Sequence, residues 1–517
     1  MRHFQKVFHP QALAAFFLCL YAISASGAQT DASTSSKKMA QKLEQFVSLP
    51  RFASSQWGIQ IKSLDTGKLI FEHDAQKRLK PASNNKLYTG ALALEELGAD
   101  YRIVTSIAAK KKPSASGTLS SDLVIIGRGD PSFSARFHGG DYEAALKPLV
   151  DAIAATGIKR ITGDIVADES FFRGPSFGNG WTWDDLQYYY GAEVSACTYQ
   201  DNTVDLSITP GKEIGDAATI ELRPSTPLLQ FINRVQTSAT NVRASITVTR
   251  EPGSSLVTVS GHVPLGGKAV EDAVTVPRPA LWFAQAVKNA LIKRGIKVKG
   301  DIRRITAGDK AAGPRGKDEL IELTSVASPP MSELVKQMMK PSQNLYAHLL
   351  FLQVAARHAD HARDLDATTE DIGMRRMAAF MQKIGVARND VLIEEGSGLS
   401  RGTLLTPRAT VQLLEYMART PNKDIYYDAL PIAGKDGTLR LRMRGTLAEG
   451  NAHAKTGSLR YVNALSGYVT NRAGERFVFS LLSNAHVAPP NGPTARNDLD
   501  QIVVWLAESE FRTQSSK

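Results

Sequence analysis

The sequence predicts a multi-domain α+β protein in which two helix-rich segments are separated by a large, mostly-β insertion. Three observations carry this. The chain has 517 residues, more than one domain usually holds. Residues 29–100 and 277–517 show helical apolar spacing beside a few strand-like runs. Residues 101–276 instead show short strand-like runs separated by Gly, Pro and Asp, and divide into as many as two modules. Hydrophobic residues make up 43% and charged residues 22%, so a packed core is expected rather than disorder.

The N-terminus sets the compartment. Arg2 and Lys6 precede an apolar run from Ala12 to Ile23, and small residues from Ser24 to Ala28 close it. This is the layout of a secretory signal peptide, residues 1–28, with the mature chain starting near Gln29. An uncleaved anchor is the competing reading, but the run is short for a bilayer span. Bulky Leu18 before Cys19 argues against a lipoprotein site. Loss of Cys19 with the signal leaves Cys197 alone, so no internal disulfide is expected, and Cys197 reads as a small buried apolar residue.

The formal charge of +11 falls to +9 once Arg2 and Lys6 are removed. Such a balance suits nucleic acid or an anionic surface such as a cell wall. Export argues against nucleic acid, as does the lack of zinc-finger spacing or a basic helix with interleaved aromatics. The charge is compatible with peripheral association with membrane or wall. The sequence sets no oligomeric state.

Along the mature chain, residues 29–38 are Ser/Thr/Lys-rich, which predicts a flexible leader, and a helix follows over Met39–Ser48. Trp57, Ile59 and Ile61 alternate before Asp65-Thr66-Gly67, and Leu69–Phe71 follow; this predicts a β-hairpin. A helix is expected to start near Ser83 and to stop at Gly98. After the insertion, helices are predicted over Ala280–Arg294, Met331–His358 and Glu370–Ile384. Strands are predicted at Ala452–Leu459, Ala464–Val469 and Phe477–Leu482. A final helix over Asp498–Phe511 carries Ile502, Val503 and Leu506 on one face, as a core-facing stripe does.

Three short motifs can carry chemistry. In Ser83-Asn84-Asn85-Lys86, residues three apart share a helix face, so the Lys86 amine can reach the Ser83 hydroxyl. A serine needs a base to become a nucleophile, and a lysine serves if burial or a nearby charge lowers its pKa. The pattern is common by itself: Ser35-x-x-Lys38 matches too. Ser342-Gln343-Asn344 follows Pro341 and offers a second hydroxyl and an amide to relay a proton and hold a peptide backbone. Lys455-Thr456-Gly457-Ser458 lies in a predicted strand. There Gly457 would let a substrate backbone approach, Thr456 and Ser458 offer hydroxyls for a carboxylate, and the Ser458 and Ser83 N–H groups would form an oxyanion hole.

The order Ser-x-x-Lys, Ser-x-Asn, Lys-Thr-Gly is that of the penicillin-binding proteins and class A β-lactamases. The interval between Lys86 and Ser342 far exceeds what a minimal β-lactamase-like domain needs. The chain therefore resembles the D-Ala-D-Ala carboxypeptidases of the penicillin-binding protein 4 type, the S13 peptidase family. Further resemblance lies in residues 127–131, 395–401, 434–439, 454–458 and 465–469, and spans Gly58 to Leu482. Relatives often carry Asp where this chain has Glu395, with no expected loss of chemistry.

The resemblance implies a β-lactamase/transpeptidase-like domain, an antiparallel sheet flanked by helices, split around the insertion. It implies Ser83 as nucleophile and Lys86 as acylation base, with Ser342, Asn344 and Lys455 assisting proton transfer and Thr456, Gly457 and Ser458 binding substrate. Peptidoglycan stem peptides are the implied substrates and β-lactams the implied acylating agents, in the periplasm. Residues 181–190 resemble the part of the insertion that receives the free amino end of the stem. Asp184, with Trp181 and Tyr189, is the candidate there.

Other readings compete less well. No Glu-x-x-Leu-Asn loop of a class A β-lactamase is present. Gly398-Leu399-Ser400-Arg401-Gly402 fits the Gly-x-Ser-x-Gly pattern but lacks the strand before and helix after that a nucleophile elbow needs. His358-Ala-Asp360-His361 lacks a convergent ligand set, so no metal and no cofactor is expected. A slow-turnover penicillin-binding or wall-binding module on the same fold is the non-enzyme alternative.

Overall fold

The computed structural model describes residues 35–311, 320–359, 364, 366–490 and 492–514. The signal segment 1–28, and Asp360 and His361, lie outside these.

The chain's two ends build one antiparallel sheet. Its order is His453–Leu459, Val462–Thr470, Arg476–Asn484, Gln56–Ser63, Leu69–His73. The predicted hairpin forms its far edge, and the Lys-Thr-Gly strand forms the other. Period-two alternation splits the side chains between two cores. Phe477, Phe479 and Leu481 face the helix 35–47 and the C-terminal helix Ala495–Glu508. Val478 and Tyr468 face the helices Asn85–Leu97, Met331–Met339, Asn344–Arg357 and Pro407–Met417. Ile502, Val503 and Leu506 are buried in the first of these cores, as their stripe predicts. The N-terminal helix already includes residues 35–38, placed in the leader by composition.

The insertion hangs from a two-stranded neck. Val104–Ala109 leaves the helical core and Ile321–Ala327 returns to it, paired antiparallel with Val104 opposite Ala327. The neck belongs to a five-stranded mixed sheet with Leu123–Ile126, Ile165–Asp168 and Ile302–Ile305. Two three-stranded sheets, built from strands between Thr203 and Thr275, form the second part. The boundary expected at 277 differs from the packing. The helix Pro279–Lys293 buries Trp282, Phe283, Val287 and Leu291 in the insertion's own core. Its apolar face fits the insertion sheets, and the return falls near Ser328, whose N–H bonds the Ile103 carbonyl. A helix at Lys147–Ala155 was not expected in this region.

The single helix expected over Met331–His358 is two helices, broken at Lys340–Gln343. Pro341 explains the break, since proline lacks an N–H and clashes with the preceding turn. Among the described residues no helix is long and apolar enough to cross a membrane, and no group of His, Cys, Asp or Glu could hold a metal. Cys197 is buried, and burial pushes its thiol pKa up.

Candidate active site

Ser83 sits in the 3-10 turn Ala82–Asn84 that leads into the helix Asn85–Leu97. One turn on, the Lys86 side chain points back at it. Lys86 Nζ lies 2.9 Å from Ser83 Oγ, 2.6 Å from Asn344 Oδ1 and 2.7 Å from the Ser397 carbonyl oxygen. Three acceptors match the three protons of an ammonium. Burial opposes that charge more strongly than the Glu395 carboxylate supports it, and the amine is lowered to about 7. Both protonation states are therefore populated near neutrality. In the neutral state the Ser83 hydroxyl can donate to the freed Nζ lone pair, which is the geometry of base activation.

Ser342 lies in the break between the two helices with a φ of 65°. A non-glycine residue in this region is strained and persists only when its surroundings hold it. Here the hold is visible. Lys340 Nζ bonds Asp436 Oδ2 at 2.7 Å and the Leu430 carbonyl at 2.6 Å. Thr438 N donates to the Lys340 carbonyl at 3.0 Å. Ser342 Oγ thus accepts from Lys455 Nζ at 2.8 Å. Lys455 is fully buried, and burial followed by the nearby Lys86 charge holds its amine well below the usual lysine range. Two lysines, two serines and Asn344 converge on one point from a helix, a helix break and a strand.

Asn344 opens the second helix. Its Nδ2 donates to the Tyr190 carbonyl at 2.9 Å, so the insertion itself orients this amide. Thr456 Oγ1 lies 2.7 Å from Thr438 Oγ1. Ser83, Asn344, Ser342, Thr456 and Ser458 line one groove of about 610 Å³, with Asp184 and Tyr189 on its insertion side. Trp181 is not among the lining residues. Its ring packs 5.6 Å from His348 and 6.5 Å from Phe177, against the helical core, while neighbouring Trp183 is 74% exposed. Asp185 is the buried acid of this stretch, accepting from Thr182 and Arg401 at 2.7 Å each.

Gly457 has a different role from the one expected. A Cβ there would sit 2.3 Å from the Pro81 carbonyl oxygen and 3.2 Å from Asn84 N. The missing side chain lets the strand close on the turn that carries Ser83, and the Pro81 carbonyl fills the space a Cβ would take. Gly457→Ala is expected to displace the strand from Ser83 and to slow carboxypeptidase turnover about a hundredfold, the scale a 1 Å misplacement can reach. Turnover kinetics beside a thermal unfolding curve check this; an unchanged rate in a folded variant would remove the argument.

The stretch Glu395–Arg401 contributes a structural anchor that residue-by-residue reasoning missed. The Glu395 carboxylate is fully buried and accepts from the backbone N–H of Ser397 at 2.6 Å, Gly398 at 2.5 Å and Ser400 at 3.3 Å. Burial alone would raise this carboxyl, but His348 and the Ser397 N–H outweigh it and hold it at about 2. The folded loop aims the Ser397 carbonyl at Lys86. Gly398 has φ of 83°, and a Cβ there would lie 2.0 Å from the Ala82 carbonyl oxygen. Gly396 and Gly398 directly after an acid are the sequence feature that fits a loop wrapped on a carboxylate. Ser400 is buried, with no helix directly after it, so it is no nucleophile elbow.

Comparison with known proteins places the chain in a family. The chain is 32% identical over 498 residues to the D-alanyl-D-alanine carboxypeptidase of Actinomadura sp. (strain R39), covering 94% of this chain and 88% of that one. It is 26% identical over 437 residues to the D-alanyl-D-alanine carboxypeptidase DacB of Haemophilus influenzae, covering 83% and 85%. The crystal structure of penicillin-binding protein 4 from Haemophilus influenzae superposes with a TM-score of 0.73 at 26% identity, covering 91% of this chain and 98% of that one. The family model for D-Ala-D-Ala carboxypeptidase 3 (S13) matches residues 39–509. With matches over nearly the whole described chain, this protein belongs to the D-Ala-D-Ala carboxypeptidase 3 (S13) family.

Proposed function

We propose that the chain is exported through a cleaved signal peptide to the periplasm. There it acts as a serine D-Ala-D-Ala carboxypeptidase, and as an endopeptidase on cross-linked peptidoglycan stems. The observation that carries this is the Lys86 amine, buried, lowered to about 7 and bonded to Ser83 Oγ at 2.9 Å. Ser83 Oγ attacks the carbonyl of the penultimate D-alanine and its proton passes to Lys86. The C–N bond breaks, and the leaving amine takes a proton through Ser342, backed by Lys455. Water then hydrolyses the Ser83 ester. Thr456 and Ser458 hold the terminal carboxylate, while Asp184 and Tyr189 face the other end of the stem. The His453–Leu459 strand is a sheet edge, as an extended peptide requires for main-chain pairing.

The test is intact-protein mass spectrometry of the mature chain with benzylpenicillin, beside Ser83→Ala. One adduct per chain, mapped to Ser83 and absent in the variant, is the expected result. No adduct on folded wild type would overturn the acyl-serine reading. Release of D-alanine from a stem peptide then separates an enzyme from a slow-turnover binding module.

A further inference from the structure

The groove carries more positive charge than a single substrate carboxylate needs. Five arginines line it. Two have structural partners: Arg401 bonds Asp185 at 2.7 Å, and Arg442 bonds Asp500 at 2.7 Å. Arg440, Arg460 and Arg496 are exposed and have no carboxylate within ion-pair distance among the described residues. They come from three separate places. Arg440 follows the turn Gly437–Leu439, Arg460 lies in the hairpin after the Lys-Thr-Gly strand, and Arg496 lies in the first turn of the helix Ala495–Glu508. Their convergence is costly by local rules. A cation in a helix's first turn opposes the macrodipole, and like charges gathered in a cleft repel. Arg442 ties two of the sites together, since its Nη2 donates to the Arg496 carbonyl at 3.4 Å. Arg440 is two residues from Thr438, whose hydroxyl meets that of Thr456. That places it beside the hydroxyls assigned to the carboxylate next to the scissile bond, and hence on the leaving-group side.

We propose that Arg440, Arg460 and Arg496 form an anion-binding extension of the groove that selects leaving groups carrying several carboxylates, namely a cross-linked stem peptide rather than a lone D-alanine. This rests on the acyl-serine reading above. A lone D-alanine brings one carboxylate, which the Thr456 and Ser458 hydroxyls accommodate. A released stem brings further carboxylates, for which exposed guanidiniums are the matching donors. The chemistry is otherwise the same: the Ser83 ester forms, the amide C–N bond breaks, and the released amine takes one proton.

The experiment compares kcat/KM for a pentapeptide stem with that for a purified cross-linked stem dimer. The mature protein is tested as wild type and as the variant Arg440→Gln/Arg460→Gln/Arg496→Gln. A second dimer, amidated at the carboxylates of its leaving stem, serves as the charge control. The expected result is a fall of about tenfold or more in the dimer-to-pentapeptide ratio for the variant, the scale of lost charge-assisted hydrogen bonds. The amidated dimer should be cut slowly by wild type and respond little to the substitutions. An unchanged ratio would overturn the proposal, as would an equal fall on both substrates. Loss of binding to vesicles of anionic lipid with the ratio intact would also overturn it, and would assign the arginines to a membrane surface. A wild type that takes penicillin and releases D-alanine but leaves the dimer intact defeats this inference alone; no adduct and no D-alanine release defeats the reading beneath it.

Discussion

Lys86→Ala is expected to slow acylation of Ser83 about 10³- to 10⁴-fold, the upper range for loss of a positioned base. The measurement is stopped-flow acylation by a chromogenic cephalosporin. The variant leaves Asn344 Oδ1 and the Ser397 carbonyl without their Lys86 donor, which costs about 1–3 kcal/mol for each buried group. A thermal unfolding curve must therefore accompany the rates. Lys86→Arg separates base from charge: a guanidinium keeps the positive charge but does not deprotonate in the working range. It should be as slow as alanine. The pH profile gives a third readout. Burial lowers the Lys86 amine to about 7, and in the proposed mechanism the neutral amine is the base. The acylation rate should fall about tenfold per pH unit below that value. Lys455 is depressed as well, in part by the Lys86 charge, so the observed limb belongs to the pair. A flat rate from pH 5 to 9 would remove Lys86 from the role.

The parts of this site that were legible in sequence are those that secondary structure alone brings together. Ser83 and Lys86 are one helical turn apart, and Lys455, Thr456 and Ser458 share one strand. Their long-range meeting does not follow from spacing, and only the co-occurrence of three short motifs suggested it. What stayed hidden depends on tertiary closure. Ser342 reads as part of a continuous helix, yet Pro341 breaks the helix and the Lys340–Asp436 pair holds the serine at positive φ. Gly457 reads as an opening for substrate, yet the Pro81 carbonyl occupies that space. Trp181 reads as a groove aromatic, yet it packs on His348. The helix Pro279–Lys293 has the same amphipathic pattern in either domain, so its pattern could not say which core would bury it.

Glu395→Ala is expected to destabilise the fold by about 3–5 kcal/mol, as removal of one partner from a buried charged network does, and to cut acylation more than a hundredfold. Three backbone N–H groups would lose their acceptor, and the loop would no longer aim the Ser397 carbonyl at Lys86. Two further variants separate anchor from charge. Glu395→Asp keeps an acceptor for the N–H groups and should retain most of the activity. Glu395→Gln keeps the shape but not the charge. The wild-type carboxyl is held at about 2, below its ordinary 4.5. Its stabilisation is therefore complete above about pH 4.5 and is lost as pH falls towards 2. The stability gap between wild type and Glu395→Gln should be widest near neutrality and should narrow across that window in thermal unfolding. The same substitution should reach the base. The Glu395 charge favours the Lys86 ammonium, so its removal should move the acylation limb to lower pH. A purely structural residue would lower the rate at every pH and leave the limb in place. An unmoved limb would leave Glu395 as an anchor of the loop and nothing more.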